Sequence, residues 1–247
     1  MASVAPLRAQ SPLAHVDLES EAMTVPAMTR EAVVAAAAHG PAELTKARLA
    51  TLDLGGLALP GARLRAAYLN RAVLSGADLS GAILDQAWLM EADLTGSDLT
   101  GASLRSSQMQ KAALVRANLS GARITADLSG ADLTEANLRG AVLGADMKNQ
   151  SMGLVRAVLR SARLDAADLS GADLNRVDFA FASLKGADLS GADLTRADLS
   201  GADLTGATLT GARLAGAALA SARLVDVIGE AEADWTGATG LGRVRRK

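Results

Sequence analysis

A period of five constrains this chain more than any other feature. From Leu49 an apolar residue returns at every fifth position, through Leu54, Leu59, Leu64, Leu69, Leu74 and Leu79 and onward to Ile124. Two residues before each stands a small one, mostly alanine, as at Ala62, Ala67, Ala72, Ala77 and Ala82. Asp, Asn or Arg often separates the pair; Ser, Thr or Arg commonly follows, and then often Gly. Self-similarity of this kind decides the architecture before any helix or strand propensity is weighed, because it dictates how the chain stacks on itself.

Neither regular element accommodates the period. On an α-helix five residues turn the chain by about 500°, so the leucines would spiral around every side. On a long strand an odd period would send successive leucines to opposite faces. The pattern works if the backbone turns after each unit. Within one unit the small residue and Leu are two apart and point inward together, while the residue between them points out. Gly at the end of the unit fits a recurrent tight turn.

Runs such as Ala187-Asp188-Leu189-Ser190-Gly191-Ala192-Asp193-Leu194-Thr195 resemble the pentapeptide-repeat family, and the likeness covers about residues 47–226. The resemblance implies an all-β fold, a right-handed quadrilateral parallel β-helix with four pentapeptides per coil. Each face then stacks residues twenty apart at roughly 4.8 Å, and about nine coils give a rod of roughly 43 Å.

The register has a break. Ile124 to Leu128 and Leu143 to Met147 are four-residue steps, Lys148 to Val155 holds no clean unit, and the original phase returns near Leu154 and Leu159. Two single deletions followed by a two-residue surplus restore the count, which places a bulge or short loop near Met147 to Gly153. The organisation expected is a flexible leader at 1–28, a capping helix with its lead-in at 29–46, the solenoid at 47–238 with its irregularity near 144–155, and a basic tail at 239–247. Thr29 is the N-cap of the helix and Gly40-Pro41 its stop. A solenoid needs its terminal coils covered; the Ala-rich helix does so at one end and Trp235, in the repeat-like Ala233-Asp234-Trp235-Thr236-Gly237, at the other.

Composition narrows the chemistry. The chain has no cysteine, which removes disulfides, thiol nucleophiles and cysteine metal sites, and its two histidines, His15 and His39, precede the repeat. A formal net charge of −2 announces no nucleic-acid binder. No apolar run reaches the roughly 18–20 residues of a membrane helix, and Met1 to Ala14 shows no secretory h-region, so the expected location is cytoplasmic. The many Asp residues recur at one outward repeat position, as on a solvated face. A non-enzyme with no cofactor and no metal is the expectation.

What remains is surface pattern. With twenty residues per coil, Tyr68, Trp88 and Gln108 stack as outward neighbours on one face, a candidate contact patch in a chain with only two Trp, one Tyr and two Phe. A second candidate is an acidic stretch at Asp168, Asp173, Asp178, Asp188, Asp193, Asp198 and Asp203. Arg63, Ser103, Arg123, Arg163 and Arg223 are expected on another face. Asp78, Asp98, Asn118, Asn137, Asp178 and Asp198 are expected on an adjacent one.

Two functions fit. The first is a protein-interaction scaffold or adaptor. Met28-Thr29-Arg30-Glu31-Ala32-Val33, the Ala-rich helix and Leu-Asp-Leu-Gly-Gly-Leu at 52–57 resemble the start of pentapeptide-repeat modules on type VI secretion accessory proteins, which implies a bacterial secretion partner. The second follows from the family's best-understood members, which resemble duplex DNA in shape and charge and bind DNA gyrase; it would make the chain a DNA-mimicking gyrase modulator, with its acidic rod replacing phosphate contacts. A near-neutral repeat and the lack of an evident C-terminal apolar helix depart from those members. A protein partner, no direct nucleic-acid binding and no membrane insertion are expected, with homo-oligomerisation through the rod ends left open.

Overall fold

The computed structural model describes residue 13 and residues 16–145 and 155–246. Its core is a parallel ladder of single-residue bridges in four columns. The first face runs through Glu43, Arg63, Ile83, Ser103 and Arg123; the second through Arg48, Tyr68, Trp88, Gln108 and Asp127. The third follows Asp53, Val73, Asp93, Ala113 and Asp132, and the fourth Ala58, Asp78, Asp98, Asn118 and Asn137. Consecutive rungs are twenty residues apart through most of the ladder, as between Asn70 and Met90.

One unit accounts for all of its backbone donors. In Ala77-Asp78-Leu79-Ser80-Gly81, the Ala77 N–H closes the preceding turn on Leu74 C=O at 3.0 Å. Asp78 N–H donates to Leu57 C=O at 2.9 Å, Leu79 N–H to Asp98 C=O at 2.7 Å and Gly81 N–H to Thr100 C=O at 2.8 Å. The Ser80 N–H lies outside the ladder, and the Asp78 carboxylate accepts it at 2.9 Å. Backbone polar groups this close to a core must be paired, so the outward Asp supplies the acceptor that the coil geometry omits. The turn itself has its third residue at positive φ, as at Gly76 (64°), with the fourth N–H bonded back to the first C=O, the type II pattern.

Inward Ala and Leu fill the interior. A single cluster of fully buried side chains runs from Val33 to Leu224, with Phe179 taking one Leu position. Its aliphatic uniformity explains why aromatics are dispensable: identical rungs pack each side chain on its copy in the next coil.

The ends and the break differ from the sequence expectation. Helix α1 (Glu21–Thr24) lies inside the segment expected to be a flexible leader, and its Met23 is only 6% exposed. Helix α2 (Arg30–Ala37) has Thr29 as N-cap, the Thr29 hydroxyl accepting from Ala32 N–H, and contributes Val33 to the core cluster. At the other end the ladder continues through Asp234, Thr239 and Arg245, so residues assigned to a basic tail form rungs. Trp235 packs against the core in the inward position of its unit, with its indole N–H on Glu230 C=O at 2.8 Å.

The bulge expected at Met147 to Gly153 lies outside the described residues. Its flanks fix the register all the same. Ala157 N–H donates to Leu143 C=O at 3.0 Å, closing one corner, and Asp132 meets Arg163 thirty-one residues on. Asn118 to Asn137 is a nineteen-residue step. The break is therefore one short coil followed by one long coil, instead of two deletions repaired by a small surplus.

Candidate partner-binding face

The long coil redistributes the outward residues that follow it. Arg163 and Arg223 fall on the third face, below Asp132, and not with Arg63 and Arg123. Asp178 and Asp198 fall on the second face, in line with Tyr68, Trp88 and Gln108, and not with Asp78 and Asp98. The face assignments counted from a constant phase are corrected accordingly.

The seven carboxylates of the acidic stretch form a belt around the rod. Asp168 and Asp188 occupy the fourth face, Asp173 and Asp193 the first, Asp178 and Asp198 the second, and Asp203 the third. Each accepts the N–H two residues on, from Ser170, Asn175, Ala180, Ser190, Thr195, Ser200 and Thr205. Four also pair with cations: Asp168 with Arg139 and Asp178 with Arg160, both at 3.0 Å, Asp203 with Lys185 at 3.6 Å, and Asp193 with Arg213 at 2.5 Å. Burial pushes the Asp168, Asp193 and Asp203 carboxyls up, but the Ser or Thr donors and the adjacent cations outweigh it and hold each below the ordinary carboxylate range. This capping role has a visible sequence signal, the recurrent Asp-x-Ser/Thr spacing, which a purely solvated face would not need.

Tyr68, Trp88 and Gln108 occupy three consecutive rungs of the second face, and all are half-buried. Ladder bonds lock their backbones, with Leu69 N–H on Trp88 C=O and Leu89 N–H on Gln108 C=O, both at 2.7 Å. Gln108 accepts from Gln110 Nε2 at 2.9 Å, and the same Nε2 reaches Asp127 Oδ2 at 2.8 Å, tying that end of the patch to the next rung.

Trp88 carries no acceptor for the N–H two residues on, so that turn needs another. Asn70, one coil earlier, supplies it: its Oδ1 accepts Met90 N–H at 3.0 Å. The Asn70 amide donates in turn to Met23, to the carbonyl at 3.4 Å and the sulfur at 3.3 Å. Arg48, the first rung of this face, donates to Glu21 C=O at 2.9 Å and Val25 C=O at 3.3 Å. The leader thus borders one edge of the second face, while Leu143 and Ala157 meet at the corner between the first and second faces, on its other edge. Met23, Arg48 and Asn70 were not legible as a group, since 47 residues separate Met23 from Asn70.

Among the described residues no cluster of His, Asp or Glu could hold a metal ion, and no helix is long and apolar enough to cross a membrane.

The family model for pentapeptide repeats matches the chain in eight copies, within residues 42–86, 59–96, 87–125, 126–148, 154–191 and 187–226. No curated protein matches the sequence. Among solved structures, the chain is similar to HetL, a pentapeptide repeat protein involved in heterocyst differentiation regulation from the cyanobacterium Nostoc sp. strain PCC 7120. That match has 33% identity over 85% of this chain and 94% of HetL, at a TM-score of 0.43. Rfr23, a pentapeptide repeat protein from the cyanobacterium Cyanothece 51142, matches at 28% identity over 50% of this chain and 89% of its own, at a TM-score of 0.40. A trypsin-treated variant form of QnrB1, a plasmid-mediated fluoroquinolone resistance protein, matches at 20% identity over 67% of this chain and 88% of its own, at a TM-score of 0.41. At these TM-scores the superpositions carry no functional argument.

Proposed function

The chain belongs to the pentapeptide-repeat family, and from that premise we propose that it is a non-catalytic protein-interaction scaffold whose working surface is the second face. Family membership supports reading the ladder as a right-handed β-helix. Helix α2 covers its first coil through Val33, and the rod presents four flat faces to a partner.

One observation carries the choice of face: Tyr68, Trp88 and Gln108 stand on successive rungs of a solenoid with almost no other aromatics. Half-buried Tyr and Trp on a rigid backbone have the character of binding hot spots, with large contact area and little side-chain entropy to lose. Irregularities of repeat proteins often gather at the binding face, and both the leader and the Leu143–Ala157 corner, where the register changes, border this one. An adaptor in a secretion system is one form such a scaffold takes, in keeping with the resemblance at Met28 to Val33.

Gyrase modulation by DNA mimicry is less favoured. It calls for an uncompensated negative surface, and four of the seven carboxylates in the acidic belt are ion-paired. A supercoiling assay in which a molar excess of the protein inhibits gyrase would restore that alternative. Photo-crosslinking tests the scaffold: a photoreactive side chain at Gln108 should capture a partner, and one at Asn118, on the fourth face, should not. Equal yields from the two positions would remove the second face as the site.

A further inference from the structure

The segment from residue 16 to residue 28 meets the solenoid differently from the way one coil meets the next. Its hydrogen bonds to the solenoid gather at two points. Arg48 binds the Glu21 and Val25 carbonyls and accepts Ala27 N–H on its own carbonyl at 2.9 Å, with the exposed Glu21 carboxylate 3.7 Å from the guanidinium. Asn70 binds Met23, the one buried side chain of the segment.

Beyond Asn70, along the next two coils, the fit is incomplete. A cleft of about 300 Å³, partly open to solvent, separates Leu18 and Met23 from Met90 and Gln110. Gln110, which lines it, keeps its Oε1 shut off from solvent with no hydrogen-bond donor among the described residues. A tightly packed contact would leave no such cleft.

Asn70 joins this segment to the aromatic face. Its carbonyl oxygen holds the turn that follows Trp88, through Met90 N–H, while its amide nitrogen holds Met23. We infer that residues 16–28 form a releasable strap that regulates the second face, covering the Asn70–Met90–Gln110 edge when docked and lending that edge to the partner surface when released. This rests on the second face being the partner site, but the strap is measured without a partner.

Hydrogen exchange on the full chain reads the strap directly. The amides of Met23, Val25 and Ala27 should exchange on the order of tenfold or more faster than the ladder amides of Leu49, Leu69 and Leu89. Asn70→Asp keeps the acceptor for Met90 and loses the donor for Met23. It should speed exchange in the strap by about threefold or more and hasten peroxide oxidation of Met90, with the ladder unchanged. Met23→Ala, which removes the sulfur acceptor and the buried side chain, should do the same from the strap side. Strap amides as slow as ladder amides, or Met90 oxidation unchanged in both variants, would overturn the inference. So would protection lost throughout Leu49 to Leu89, which would make the contact part of the coil. If the strap behaves as expected while crosslinking at Gln108 fails, only the partner assignment falls.

Discussion

Arg163 and Asp132 meet guanidinium to carboxylate at 3.2 Å on consecutive rungs of the third face, although thirty-one residues separate them. A regular coil uses twenty, as between Asn70 and Met90, so this coil carries eleven more. They enter at a single corner, where Ala157 N–H closes on Leu143 C=O. Removing residues 146–156 would therefore leave Leu143 and Leu159 one pentapeptide apart. The shortened chain should melt cooperatively, with Tm lowered by no more than about 2–4 °C, the cost of about 1 kcal/mol for Ala145 at the positive-φ position. Aggregation or loss of cooperativity would show that the excised segment helps hold the coils together.

Asp188 separates the capping role of the outward carboxylates from a solvated one. Its Oδ1 accepts Ser190 N–H at 2.9 Å. Asp188→Asn retains the acceptor and should leave stability nearly unchanged, whereas Asp188→Ala strands the Ser190 N–H and should cost about 1 kcal/mol in denaturant unfolding. Equal stability of the two variants would contradict the cap.

Acid should weaken the rod through the same groups. The Ser80 hydroxyl and N–H hold the Asp78 carboxyl below its ordinary value, and Asp168, Asp193 and Asp203 are lowered as well. With folded values depressed, the unfolded chain binds more protons, so the stabilisation is fully present above about pH 5 and is lost as pH falls below about 4. Replacing Asp78, Asp168 and Asp203 together by Asn, which keeps each acceptor, should flatten the stability profile in that window, as measured by thermal melts from pH 6 to pH 3. An unchanged slope would show that the carboxylates gain nothing on folding.

Two glycines with similar backbone angles should respond differently to alanine. At Gly76 (φ 64°) an added Cβ meets nothing within 4 Å, so Gly76→Ala should cost only the left-handed preference, about 1–2 kcal/mol. At Gly229 (φ 73°) it would lie 2.3 Å from Thr210 Oγ1 and 2.6 Å from Thr210 N, forcing the backbone of the last coils apart. Gly229→Ala should cost clearly more and raise hydrogen exchange at Leu209 and Leu214, whose N–H groups bond to Ile228 and Asp234.

The period of five made the inward Ala and Leu, the outward position between them and the Tyr68–Trp88–Gln108 column readable from sequence, since each depends only on counting. Faces beyond residue 143 were not readable. Met147 and Leu154 look like inward residues of a slightly irregular repeat, and only ladder bonds such as Leu128 N–H to Val158 C=O tell which coil continues which. The strap was hidden for a related reason. Its partners Arg48 and Asn70 lie far along the chain, and they fill ordinary positions of their pentapeptides.

The second face as partner site is tested most directly by partner capture with three forms of the full-length protein: unsubstituted, Trp88→Ala, and Asp98→Asn on the opposite, fourth face. Loss of the Trp88 indole should weaken capture by about tenfold to a hundredfold, with Asp98→Asn equal to the unsubstituted protein. Undiminished capture by a folded Trp88→Ala variant would contradict the assignment.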